Sequence, residues 1–227
     1  MRALLVAAAL LLPSIAVAQP SAPTVLAGID SAYSKVKAAK LEFEQTTKDA
    51  VFGTDAKTGG WIYLQRPNRV RWTYLAKDKN KKAPTKEFIA KGGKMVYVDH
   101  KNKQYTKPVS AKTSSVPAAL SWLTGKGRLA KEFSPVITAT TTSTIELELT
   151  PLKPSAAYSK IKLVVDAKTY QVQESVVTAS NGNSSGYVFK NVNLDAKLDD
   201  KSFEFRPNSK DNKDYREVDL DKAGAPP

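Results

Sequence analysis

The 227-residue sequence contains no cysteine, which excludes disulfides, thiol nucleophiles and thiolate metal sites together. It has a single histidine, His100. A metal centre built from several imidazoles is therefore impossible, and a serine hydrolase would rest on that one ring. No apolar run approaches the ~20 residues that a membrane-spanning helix needs; the run near the N terminus is interrupted by Pro13 and Ser14. Acidic residues are in deficit, 22 Asp and Glu against 35 Lys and Arg, for a formal net charge of +13. That imbalance favours an anionic partner without naming one. No phosphate-binding loop of the G-x-x-x-x-G-K-[ST] type occurs, and no spacing singles out a carboxylate pair for glycoside hydrolysis. Together these absences point away from catalysis and from any bound cofactor.

What is present is ordinary for one folded chain, with 41% apolar and 25% charged residues. Residues 1–18 read as a secretory signal. Arg2 supplies the positive start, Ala3 to Leu12 the apolar stretch, and Ala16-Val17-Ala18 a small-residue cleavage site before Gln19. No cysteine follows that site, so the exported chain carries no lipid of its own. Export also argues against a nucleic-acid binder, the reading that Trp and Tyr among basic strands would otherwise invite.

From Thr24, a possible N-cap, Val25, Ile29, Tyr33 and Val36 recur at helical intervals, with Lys35, Lys37 and Lys40 expected on the opposite face. Beyond Phe43 the period changes to two. Trp61 or Ile62, and Val70, Trp72 and Tyr74 before basic neighbours, define amphipathic strands; Gly92-Gly93 marks a hairpin. Val116 to Phe133 reads as an apolar helical insertion carrying Leu120 and Leu123, interrupted by Gly125 and Gly127. Strands return with Leu147 and Leu163 among their apolar positions and end at Ser202 to Phe205. The count is about ten to eleven strands in one domain, residues 19–207, followed by a polar, loose tail at 208–227. A sheet of this size curls to hide its apolar face. It can close on a filled core or half close around an apolar ligand, with the helices as a cover, and periodicity does not separate the two.

The segment QRPNRVRW, Gln65 to Trp72, resembles the R-P-N-x-x-x-W motif of the periplasmic outer-membrane lipoprotein carrier family, LolA. Other pieces follow in the same order. Phe43 and Gln45 match its F-x-Q, Gly92 to Asp99 and Gln104 its hairpin, Val116 to Phe133 its P-x-x-L-L-x-G helix, and Tyr187 to Pro207 its closing segment. Tyr97 or Val96 stands where that hairpin often has Trp, and the DKNKK loop and the residues beyond Pro207 do not align.

The resemblance implies a mainly β, unclosed antiparallel barrel with a helical lid over an apolar cavity for acyl chains. Trp61, Val70, Trp72, Tyr74, Leu120, Leu123, Leu147 and Leu163 would line that cavity, and Arg66 would latch the lid by hydrogen-bonding a helix end. It further implies a monomeric carrier in the periplasm. Its partners would be lipoproteins, the inner-membrane ABC transporter that releases them, and an outer-membrane receptor. That receptor, LolB, shares the fold but starts at a lipidated Cys, which this chain lacks. A lipid-binding protein of the same fold without a part in lipoprotein sorting is the alternative.

Overall fold

A computed structural model describes residues 20–53, 55–76, 83–110, 129–155 and 158–219. Helix α1 (Ala22–Ser34) starts at Ser21, whose backbone is extended and whose hydroxyl accepts a 3.3 Å hydrogen bond from the Thr24 amide. The N-cap thus lies three residues before Thr24, with Pro23 inside the first turn, where a missing N–H costs nothing. Val25, Ile29 and Tyr33, each four residues on, are buried together with Leu26. The helix ends at Ser34, so Lys35, Lys37 and Lys40 do not form its outer face; Lys35 is the C-cap and Lys40 already belongs to the first strand.

Among the described residues thirteen strands follow: β1 (Ala38–Lys48), β2 (Asp55–Gln65), β3 (Arg69–Leu75), β4 (Pro84–Lys91), β5 (Lys94–Asp99), β6 (Gln104–Thr106), β7 (Val109–Ser110), β8 (Phe133–Thr140), β9 (Thr144–Pro151), β10 (Lys160–Asp166), β11 (Val172–Thr178), β12 (Ser184–Asn193) and β13 (Arg216–Val218). A short helix α2 (Leu129–Glu132) precedes β8, and a 3-10 turn (Asp200–Phe203) follows β12. They make one sheet in the order β13-β6-β5-β4-β3-β2-β1-β12-β11-β10-β9-β8, with β7 beside β5. Two antiparallel meanders are thus joined by the β1–β12 pairing, and the terminal strands β13 and β8 are not bonded to each other, which leaves the sheet unclosed. The sheet is nevertheless strongly curled. Strand spacing of about 4.8 Å would hold β3 and β12 about 14 Å apart in a flat sheet, yet the Trp72 and Tyr187 rings on those strands are 5.8 Å apart.

Three expectations need correction. Ser202 to Phe205 is not a strand: Asp199 caps a 3-10 turn by accepting from the Ser202 amide at 2.9 Å. Phe133, expected to end the helical insertion, instead opens a strand that runs to Thr140; its Ser, Pro and Thr residues hide the alternation that buries Phe133. The residues after Pro207 are not loose as far as residue 219, since β13 pairs in parallel with β6. The helical insertion expected from Val116 lies, up to residue 128, outside the described residues.

Period two sorts the sheet into an inner and an outer face. The inner one, with α1 and α2 laid against it, holds one continuous core that includes Leu41, Phe43, Ile62, Trp72, Leu147 and Leu163. The outer one is laced by cross-strand pairs such as Lys162–Glu146 at 2.8 Å and Lys190–Glu44 at 2.7 Å, exposed contacts worth less than ~1 kcal/mol each. On β3 and β4 the outer face is different. Glu87, 1% exposed, accepts from Arg71 Nη2 at 2.7 Å and from Thr73 Oγ1 at 2.8 Å, and His100 Nε2 stands 3.3 Å from it. The C-terminal segment closes over this cluster. His100 Nδ1 and Tyr215 Oη share a hydrogen bond of 2.7 Å, Phe203 is buried, and Asp200 pairs with Arg69.

Candidate functional site

Pairing register aligns the inner-face residues in rows across the sheet. One row runs Leu41, Ile62, Trp72, Phe88, Tyr97 over β1 to β5; a second runs Ala39, Leu64, Val70, Ala90, Met95. Between Phe43 and Tyr74 in the third row stands Gly60. A Cβ there would lie 1.8 Å from the Thr73 carbonyl oxygen and 3.1 Å from the Phe43 ring, so only glycine lets the ring settle across β2. Phe43 then meets Trp72 at 5.1 Å and Tyr74 at 5.3 Å, both edge-on, and Trp72 stacks on Tyr74 at 5.9 Å. Such pairs contribute about 0.5–1.5 kcal/mol beyond the area they bury. The chain of rings continues through Phe88 to Tyr97 and, across the curl, through Tyr187 to Phe189. On the other meander Leu147 and Leu163 face each other, both fully buried.

The aromatic face is chemically quiet. Burial pushes the Tyr187 hydroxyl up to about 12; it drives the Tyr74 hydroxyl upward too, with Tyr187 adding to the shift. Among the described residues no group of three His, Asp or Glu could hold a metal ion. The face is therefore suited to hold apolar matter. Its rim is not fully covered: Val70, Tyr74, Phe88, Ile137, Tyr158 and Val177 pack against the core and remain half-buried.

Of the residues expected in a lining, Val70, Trp72, Tyr74, Leu147 and Leu163 all come together on this face. Trp61 does not. Strand β2 carries apolar side chains on both faces, and it is Ile62, 1% exposed, that points inward. Trp61 is on the outer face with Lys40 Nζ 4.8 Å above its ring, a cation–π contact that also reaches Tyr63. Leu120 and Leu123 lie outside the described residues. The rings of Phe88 and Tyr187 belong to the same face and were not among the expected residues; each has an apolar neighbour, Ile89 and Val188, so alternation did not mark them.

Arg66 follows the end of β2 and its guanidinium reaches the C-terminal end of α1; the helix expected between Val116 and Phe133 lies, up to residue 128, outside the described residues. Nη2 donates to the Tyr33 carbonyl at 2.7 Å and Nη1 to the Ser34 carbonyl at 2.9 Å. Helix α1 has no basic residue in its last turn, so Arg66 supplies both the donors and the positive charge that its C-terminal carbonyls want. The backbone is tied as well, by Arg66 N to Lys37 O at 2.9 Å. An open hollow of about 540 Å³ lies beside this joint, lined by Ser34 to Ala38, Gln65 and Arg66.

Residues 34–206 match the family described as outer membrane lipoprotein carrier protein LolA. The chain belongs to the LolA family. Among its LolA relatives, the outer-membrane lipoprotein carrier protein of Coxiella burnetii (strain CbuK_Q154) is 29% identical over 199 residues, covering 86% of this chain and 88% of that one. The protein of the same name from Methylococcus capsulatus (strain ATCC 33009 / NCIMB 11132 / Bath) is 25% identical over 169 residues, covering 74% and 76%. Among solved structures, an uncharacterized conserved protein from Thermus thermophilus superposes with a TM-score of 0.54 at 8% identity, over 87% of this chain and 98% of that one. That likeness concerns the fold alone.

Proposed function

We propose that this LolA-family protein is a periplasmic carrier. It takes up the acyl chains of lipoproteins as an inner-membrane ABC transporter releases them, and hands them on at the outer membrane. The observation that carries the reading is the half-buried aromatic and aliphatic rim, Val70, Tyr74 and Phe88 above all, on the inner face of an unclosed sheet. An acyl chain in water costs about 0.8 kcal/mol per methylene, on the order of 10 kcal/mol for one long chain. A carrier must offset most of that and still let go, which an adjustable apolar face does better than a rigid closed one. In this reading Val70, Trp72, Tyr74, Leu147 and Leu163 line the site, joined by Leu120 and Leu123. Arg66 is a latch on α1. The carrier names of the relatives support the same role, and nothing in it calls for catalysis.

The test is release. Spheroplasts that display a newly made lipoprotein on the inner membrane are incubated with the purified protein, then the supernatant is mixed with outer-membrane vesicles. The carrier reading expects lipoprotein in the supernatant only when the protein is added, and its transfer to the vesicles afterwards. Release of phospholipid without lipoprotein would turn the reading toward general lipid binding.

A further inference from the structure

A hydrogen-bonding group in an apolar interior needs a partner, because an N–H or O–H removed from water without one is destabilising. Two tyrosines of the core meet that need. Tyr33 Oη accepts from the Val172 amide at 3.0 Å, and Tyr187 Oη accepts from Gln45 Nε2 at 3.0 Å. Two other groups do not. Trp72 Nε1 and Tyr97 Oη are buried, on residues 2% and 0% exposed, and neither finds a hydrogen-bond partner among the described residues.

They belong to one row. Trp72 stands opposite Phe88 and Phe88 opposite Tyr97, so two strand spacings, roughly 10 Å, separate the backbones. The apolar Phe88 ring, 5.1 Å from that of Tyr97, fills the position between them. Both groups are donors in this setting. An indole N–H can only donate. Burial first, and Asp99 second, push the Tyr97 hydroxyl up to about 12, which keeps its proton in place at physiological pH. A bare hydrocarbon offers these donors nothing to bond. An acylated molecule does, at the carbonyl where each chain is esterified or amidated.

The geometry points to a polar subsite inside the apolar face, in which Trp72 Nε1 and Tyr97 Oη donate hydrogen bonds to the ester or amide carbonyls of an acylated ligand. This rests on the acyl-carrier reading and deepens it. The carbonyl end of the chain lies over β3 to β5, and the methyl end extends along the face toward Leu147 and Leu163. Insertion depth is then set by two hydrogen bonds, while apolar contact, which has no direction of its own, supplies the affinity.

The experiment compares two synthetic lipopeptides, each with a glyceryl-modified N-terminal cysteine. One carries two palmitoyl esters and the other two hexadecyl ethers, which lack carbonyls. Binding to the full-length mature protein is measured for wild type, Trp72→Phe, Tyr97→Phe and the double variant. Wild type is expected to prefer the ester probe by roughly fivefold per donor. Each Phe substitution should remove its share of that preference, read as the ratio of ester to ether affinity so that lost apolar contact cancels, and near-ultraviolet circular dichroism with the thermal midpoint shows that the variant is folded. With a ¹³C-labelled ester, the carbonyl stretch should sit at lower frequency on wild type than on the double variant. The same ester and ether pair of phosphatidylglycerol, run in parallel, tells a lipoprotein anchor from a membrane phospholipid as the source of the carbonyl. Equal binding of ester and ether by wild type, or a preference that survives in the double variant, overturns the subsite while the carrier reading stands. Failure of wild type to bind either lipopeptide overturns both.

Discussion

Single residues set the inner face at two positions. Gly60 is required because β2 and β3 leave no space for a Cβ beside the Thr73 carbonyl, and because the Phe43 ring needs the room. Gly60→Ala therefore forces the two strands apart or tilts the ring. A loss of about 1–3 kcal/mol, the range for overpacking, is expected in urea unfolding; an unchanged midpoint would show that the strands yield freely. Arg66 is the other. Arg66→Leu removes the guanidinium donors from the Tyr33 and Ser34 carbonyls, leaving Tyr33 O with its backbone donors, Val36 N among them, and hydrogen bonds to a charged group are worth about 1.5–3 kcal/mol. The amides of the last turn of α1 and of Val36 should exchange with solvent faster than in wild type, while those of β9 and β10 should not change. That Arg66 bonds a helix end was implied by the family resemblance alone. Which helix it serves was not, since the joint brings together residues 33 and 66 only after β1 and β2 have paired.

At the scale of elements, the C-terminal segment docks through Tyr215 on His100, which stands beside the buried Glu87 carboxylate. Burial alone would raise the Glu87 carboxyl, but His100, Arg71 and Thr73 beside it outweigh that and hold it below its ordinary value of 4.5. A carboxyl lowered on folding stabilises the fold fully above that ordinary value, and the contribution is lost as the pH falls through the lower, folded value. Glu87→Gln is expected to lose about 3 kcal/mol at pH 7, the scale for breaking a buried pair. The gap between variant and wild type should narrow as the pH is lowered from 5 toward 3. A gap independent of pH would show that Glu87 acts through packing alone. None of this was legible in the chain's motifs. Glu87, His100 and Tyr215 are far apart in sequence, and the tail's polar composition concealed the single apolar contacts by which it docks. By contrast the β4–β5 hairpin was fully legible, because the positive φ of Gly92 and Gly93, 60° and 82°, is what a two-residue turn of its twist demands. Strand β2 shows the limit of period two. With Trp61 and Tyr63 on one face and Ile62 and Leu64 on the other, both faces are apolar, and the choice falls to Lys40 covering the rings outside and Gly60 making room inside.

For the whole molecule, the sheet class and most of the inner face follow from alternation once the strands are put in order, whereas the unclosed topology was implied by the family resemblance alone. Curl is a collective property. It comes from twist accumulated over many strands, and it brings Trp72 to Tyr187 although no local pattern relates residues 72 and 187. The same curl turns a row of ordinary amphipathic strands into a surface that can wrap a chain. The central claim is that this surface carries the acyl anchor of a lipoprotein. It is tested most directly by native mass spectrometry of the protein isolated from cells co-expressing a tagged lipoprotein, beside cells in which the acylated cysteine of that cargo is replaced by serine. The account predicts a one-to-one complex with the acylated cargo and none with the serine form. Equal capture of both forms, or capture of neither, would contradict it.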